Sequence, residues 1–155
     1  MTAPSGDPRV RRPQQHEGLL AELRTDALFP TFRDVLLFAA ALGSHIGRRV
    51  PLTSASEPIR YETLREPAFA DALVNMIAAN EPPRDPEIMD HTRLAERIRI
   101  FEEYVNGGLE YLQEQINVRH QPADVVVIAL TTEAFEHDGG AEAVSVDELL
   151  SGVNW

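Results

Sequence analysis

Cysteine and lysine are both absent from this 155-residue chain. The absence of cysteine excludes disulfides, thiolate zinc sites and thiol nucleophiles. Because there is no lysine, all 14 basic residues are arginine, and 25 acidic residues bring the formal net charge to −11. This charge argues against nucleic-acid binding driven by overall electrostatics. The arginine bias has two explanations that composition does not separate: a GC-rich or salt-adapted genome, or selection for bidentate contacts to phosphate or carboxylate.

Long apolar runs are also missing. The longest uninterrupted one has eight residues, whereas a membrane span takes about 20. The first 13 residues carry arginines with no apolar segment behind them, unlike a secretory signal. We therefore expect a cytoplasmic protein without a membrane segment. A chain of this length predicts one domain that buries roughly two-thirds of its unfolded surface.

Motifs of catalysis are missing as well. The five histidines show no HExxH spacing, and there is no Walker loop, GxGxxG or GxSxG motif. The adjacent carboxylates Glu102 and Glu103 would point about 100° apart on a helix, so we expect two exposed helix charges and no shared proton. The sequence thus predicts no metal, no cofactor and no enzymatic activity.

What the sequence does contain is the apolar run from Val35 to Leu42. A helix that is hydrophobic on every side has to be surrounded by other elements. Thr31 is placed to act as its N-cap, with Asp34 three residues on, and Gly43 is placed to end it in the left-handed conformation. We predict that this is the buried central helix of the domain.

Apolar residues at spacings of three and four predict further helices around it. The predicted fold is an all-α, compact, single-domain bundle of about five to six helices. The segment at 125–130 has β propensity, but no second β-rich run exists to pair with it, so we favour a helix there too. The predicted helices cover about 13–25, 59–64, 67–80, 92–118 and 122–135, with an N-cap and one further turn at Asp85-Pro86-Glu87.

Two glycines interrupt the periodic segment from 92 to 118. Gly107 and Gly108 each cost a helix interior about 1 kcal/mol relative to alanine. Either the helix breaks there, or another backbone packs closely on Gly108. Because Gly108 falls on the apolar stripe, we favour close packing against the alanine-rich face of the central helix.

The two ends of the chain differ from this middle part. Residues 1–12 contain proline, glycine and serine with little to bury, which predicts a flexible basic arm. Residues 13–136 form the predicted helical domain. Residues 137–155 are acidic, with a short apolar patch at Val146, Leu149 and Leu150. We predict a mobile tail with that patch as its candidate docking surface.

Candidate binding residues come from the arginines and one histidine. Arg9, Arg11 and Arg12 lie on the arm, whereas His45, Arg48 and Arg49 follow the central helix in a loop at 44–51, with Arg60 as a third arginine for that loop. These seven residues are the predicted partner- or anion-binding set. The alternative is structural, because arginines are favourable at the negative end of a helix and basic termini are often simply solvated.

Six segments of the chain form a combination seen in a known family. They are RVRRP at 9–13, His16-Glu17, FRDVLLFAAALG at 32–43, GRR at 47–49, EPI at 57–59 and FEEYVNGGL at 101–109. Together they resemble the Dnd system-associated protein 4 family, over about residues 9–130 and without the tail after Glu136. The resemblance implies a role in an anti-phage system of DNA phosphorothioation and restriction, in which sulfur replaces a non-bridging phosphate oxygen, and it supplies no catalytic residue.

Two functions follow as hypotheses. The first is a non-enzymatic accessory protein that binds a protein component of a Dnd-type modification or restriction complex. The second is a DNA-binding regulator or sensor of modified DNA that uses the same arginines. The net charge weighs against the second.

Overall fold

The computed structural model describes residues 7–25 and 29–142, with side chains as far as Glu136. Within these ranges the chain forms six α-helices and one two-stranded sheet, which confirms the predicted all-α fold. Short 3-10 turns lie at Gln14–His16, Pro86–Met89 and His91–Arg93. The elements in chain order are β1 (Arg9–Val10), α1 (Glu17–Thr25), α2 (Phe32–Ile46), β2 (Ile59–Arg60), α3 (Tyr61–Leu64), α4 (Ala70–Asn80), α5 (Leu94–Arg119) and α6 (Ala123–Glu142).

The long helix α5 is the element on which the others assemble. It packs against α2 along much of its length and also contacts α4, α6 and β1. The predicted helix at 92–118 is confirmed, and its apolar stripe is buried, as at Phe101, Val105 and Leu112. The preference for a helix over a strand at 125–130 is likewise confirmed by α6.

The start of α2 matches the prediction, but its end does not. The Thr31 hydroxyl oxygen accepts a hydrogen bond from the Asp34 backbone N–H, as expected for the N-cap. The helix continues past Gly43 to Ile46, and Gly47 takes the left-handed conformation with a φ of 72°. Gly43 is instead required for packing, because a Cβ there would lie 2.1 Å from the Tyr104 carbonyl oxygen. The first three residues of the predicted loop at 44–51 therefore belong to the helix.

The prediction that α2 is surrounded on every side is wrong for one face. Leu36, Ala39 and Ala40 are buried, but Phe38 and Leu42 are only partly buried and Ala41 is exposed. Two apolar residues of the helix predicted at 67–80 are also exposed: Phe69, just before α4, is 60% exposed, and Met76 within α4 is 56% exposed. The helices flanking α2 leave the strip between them uncovered.

The N-terminal segment enters the fold earlier than predicted. β1 pairs antiparallel with β2, with Arg9 opposite Arg60 and Val10 opposite Ile59, and Val10 is fully buried. The predicted arm boundary after Arg12 therefore differs from the structure, and the helix predicted from Ile59 begins only at Tyr61. Strands of two residues are too short to show an alternating pattern. Helix α6 extends through Glu142, past the predicted domain end at 136, and the remaining parts of the predicted arm and tail, 1–6 and 143–155, lie outside the described residues.

Candidate functional site

Four segments of the chain meet on residues 102–108 of α5, which we call the α5 junction. The first contact joins Arg11, whose side chain is 49% exposed, to Glu102, whose side chain is 3% exposed. The Arg11 backbone N–H and its guanidinium both donate to this carboxylate, the latter over 3.1–3.2 Å. The hydrogen bond to Glu102 and its negative charge raise the pKa of Arg11. The prediction of Glu102 and Glu103 as exposed helix charges is therefore wrong, because both are buried against arginines.

Arg49 joins the same junction from the loop after α2. Its Nη1 lies 2.7 Å from Glu81 and its Nη2 lies 3.0 Å from Glu103. Burial works to lower the pKa of Arg49, but the hydrogen bonds to Glu103 and Glu81 outweigh it, and the net shift is upward. The Tyr104 hydroxyl also donates to Glu81, and its burial followed by that hydrogen bond raises the pKa of Tyr104 to about 12.

Asn106 fixes the loop backbone at the junction. Its amide donates to the carbonyl oxygens of Val50 and Pro51, each over 3.2 Å, and its carbonyl accepts from Gln15 over 3.0 Å. One residue further on, a Cβ on Gly107 would lie 1.9 Å from the Arg48 carbonyl oxygen. The glycine pair thus lets both α2 and the loop behind it approach α5 closely, which confirms close packing as the role of this segment.

Arg48 points away from the junction, along the outer side of α5. Its guanidinium pairs with Glu110 over 3.3 Å and with Glu114 over 2.9 Å, and it lies 5.4 Å from the ring centre of Tyr111. These carboxylates are more than 40% exposed, so the pairs are worth little to stability.

The remaining predicted residues do not join this group. Arg12 is 9% exposed, pairs with Glu17 and stacks on the ring of Phe32. Arg60 pairs with Asp7 and Glu62 beside the exposed Arg9 of β1. His45 is exposed on the last turn of α2.

The structure therefore does not gather the seven predicted residues into one anion site. Arg11 and Arg49 converge on the α5 junction, where carboxylates of the same chain hold them. A phosphate would have to displace these carboxylates, which are already at hydrogen-bond distance. That the seven residues bind a partner or an anion remains a prediction.

The opposite side of α2 carries a feature that the sequence did not indicate. Three adjoining cavities, of about 260, 410 and 200 Å³, run along its outer face and have Ala41 in common. We call this the α2 groove. It lies between α4 and α6, and its lining is mainly apolar, as shown by Phe38, Leu42 and Ala41 of α2, Leu73 of α4, and Leu130 and Phe135 of α6.

The groove is exposed as well as apolar. Phe135 at its α6 edge is 76% exposed, and Met76 and Phe69 lie on the α4 side. Contiguous apolar surface of this kind is typical of an interaction site. Sequence reasoning misses it because a run that is apolar on every face, as at 35–42, predicts burial on every side. An apolar helix face that lines an open groove and one that faces the core have the same composition, so local sequence does not separate them.

The described part of the chain shows neither a metal site nor a membrane-spanning helix. Among those residues no three histidine or acidic side chains lie together in a way that would hold a metal ion. Of the helices described, none is both long and apolar enough to pass through a bilayer.

In class, then, the molecule is a compact all-α domain with an apolar groove on one face and a junction of internal arginine–carboxylate pairs on the other side of α2. A family model for DNA sulphur modification system-associated protein 4 matches residues 9–148. The chain belongs to this family, which confirms the resemblance found in the sequence. The match continues beyond the predicted limits at 130 and 136. No curated protein and no solved structure matches the chain.

Proposed function

We propose that this protein is a non-enzymatic accessory component of a DNA sulphur modification system, active in the cytoplasm as part of defence against phage. It acts by binding another protein of that system through the α2 groove. The observation that carries the proposal is the exposed apolar lining of the groove between α4 and α6.

The shape of the groove favours a helical ligand. Two helices form its walls and a third forms its floor, as in sites that accept the apolar face of an amphipathic helix. Full burial of one large apolar side chain contributes about 1.5–3 kcal/mol, so covering Phe135 and Met76 would give such a complex a substantial driving force. The net charge of −11 favours a ligand helix with basic flanks, because opposite charge speeds association and selects the partner.

The alternative of DNA binding through the arginines has less support. Arg11, Arg48 and Arg49 each face at least one carboxylate of the same chain within 3.3 Å. Contacts to DNA phosphates would exchange these internal pairs for external ones, in the field of an acidic protein. We therefore expect no salt-sensitive binding to plain or phosphorothioated duplex.

The test uses individually purified proteins of the sulphur modification system, treated with nuclease. One of them is expected to bind the chain, and Ala41→Arg is expected to weaken that binding at least tenfold. Ala41 is exposed, so the longer side chain fills the groove without entering the core. The matched control is Ala21→Arg on the exposed side of α1, which is expected to leave the Kd within twofold.

Three outcomes would contradict the proposal. They are the absence of binding to every system protein, binding that Ala41→Arg leaves unchanged, and binding that nuclease abolishes. A mobility shift that falls steeply with salt and is lost in an Arg48→Ala/Arg49→Ala double variant would support DNA binding instead.

A further inference from the structure

No element in residues 7–25 and 29–142 covers the α2 groove. One of its walls is α6, the last helix of the described residues. Leu130, Ala134 and Phe135 of α6 line the groove. The helix continues to Glu142, and 13 residues follow it in the sequence. These residues lie outside the described part of the structure.

Their sequence carries the pattern of a short amphipathic helix. Val146, Leu149, Leu150 and Val153 recur at spacings of three, one and three, which is typical of one apolar helix face. Ser145 followed by Glu148 matches the capping box, with Asp147 in the first turn. Val144 before the cap and Leu149 at the fourth position match the hydrophobic staple.

The distances allow this segment to return to the groove. Phe135 lies seven residues before Glu142, which is about 10 Å along a helix at about 1.5 Å per residue. Residues 143–145 in an extended conformation span about 10 Å at about 3.3 Å per residue, which brings the chain back to the level of Phe135. A helix over 146–153 would be about 12 Å long, so it can then lie beside Leu130, Ala134 and Phe135 of the groove.

We propose that residues 144–153 dock on the α2 groove of their own chain, with Val146, Leu149, Leu150 and Val153 facing its apolar lining. A helix of this length is marginal by itself in water, so docking and helix formation occur together. The segment is acidic at Asp147 and Glu148, and the chain as a whole is acidic too. The docked state is therefore weak enough to be exchanged for a partner helix with basic flanks.

This exchange rests on the function proposed above, whereas the docking itself does not. Through this exchange the docked segment competes with the partner helix for the α2 groove. Removing the apolar contacts of the segment, as in Leu149→Asp/Leu150→Asp, is expected to strengthen partner binding by threefold or more.

Docking can be tested in the full chain without any partner. Because the chain has no cysteine, a spin label attached at Ser44→Cys on the rim of the groove is the only label present. It is expected to reduce the NMR amide signals of residues 146–153 by at least half. The matched control is a label at Ser54→Cys, on the exposed loop next to the sheet, which is expected to leave those signals unchanged.

Two variants make the result specific. In the Ser44-labelled chain, Ala41→Arg and Leu149→Asp/Leu150→Asp are each expected to restore the signals of 146–153. Full signals in the labelled wild-type sequence would overturn the docking proposal and leave the partner site untouched. Docking without any gain in partner binding in the Leu149→Asp/Leu150→Asp variant would overturn the exchange alone.

Discussion

Gly108 of α5 lies directly against the backbone of Ala39 in α2, so close that a Cβ on Gly108 would come within 1.9 Å of the Ala39 carbonyl oxygen. The two helices cross at this point without a side chain between them. The carbonyl belongs to a helix backbone and has no freedom to move aside, so the glycine sets the distance between the two largest elements of the fold.

Gly108→Ala is therefore expected to destabilise the protein. Alanine gains up to about 1 kcal/mol in helix propensity, but forcing α2 and α5 apart costs about 1–3 kcal/mol or more. We expect a net loss, measured as a lower urea midpoint. The matched control is Gly18→Ala in α1, where nothing lies within 4 Å of the added Cβ. That control is expected to leave stability unchanged or raise it by up to about 1 kcal/mol, and equal effects of the two variants would contradict this account.

The sequence predicted this contact but could not assign the glycine that ends α2. Gly108 lies on an apolar stripe, and a small residue there indicates close packing. Gly43 and Gly47 are both plausible helix ends by local rules. The choice depends on Tyr104 and Gly108, which lie about 60 residues further along the chain, and local patterns do not contain that information.

The same limit applies to Glu102 and Glu103. A pair of adjacent glutamates in a helix normally faces water, and the pattern of α5 contains nothing to contradict that. Glu102 is buried against Arg11, which is 91 residues away in the sequence and follows the two-residue strand β1. Glu103 is buried against Arg49, which is 54 residues away. The helices were predictable because their signals are local, whereas the junction and the groove depend on how the helices meet.

The Arg11–Glu102 contact predicts a stability effect that surface ion pairs do not share. Glu102→Gln keeps the shape of the side chain but removes the charge that accepts the Arg11 hydrogen bonds. Hydrogen bonds to charged groups are worth about 1.5–3 kcal/mol, and we expect a loss of that size in the free energy of unfolding. Glu114→Gln is the matched control on the same helix, because Glu114 is 52% exposed in its pair with Arg48. Its expected effect is below about 1 kcal/mol, and a control loss as large as that of Glu102→Gln would show that burial does not decide the cost.

The buried hydrogen bonds of Asn106 predict a large loss of stability for a nearly isosteric substitution, Asn106→Asp. In Asn106→Asp, a carboxylate oxygen replaces the amide that donates to the carbonyl oxygens of Val50 and Pro51. Asn106 is 1% exposed, so three oxygens would face one another with little water between them. We expect a loss of about 3 kcal/mol or more at pH 7. The same substitution at the exposed Asn117 of α5 is expected to stay within about 0.5 kcal/mol, and chemical denaturation of both variants checks the difference.

The lowered pKa of His16 predicts how the free energy of unfolding depends on pH near neutrality. Its ring is partly buried beside Gln15, and burial lowers its pKa below the ordinary 6.5, outweighing Glu110 and Asn106, which raise it. Between the lowered folded pKa and 6.5, the unfolded chain binds a proton at His16 that the folded chain does not. The contribution to stability is therefore complete above pH 6.5 and is lost as the pH falls through that window. His16→Gln is expected to remove this part of the acid sensitivity, measured as a smaller drop in unfolding free energy from pH 7 to pH 5 than in the unmodified chain. His91→Gln is the control, because the His91 side chain is 93% exposed, and a His16→Gln variant that loses as much stability on acidification as the unmodified chain would contradict the assignment.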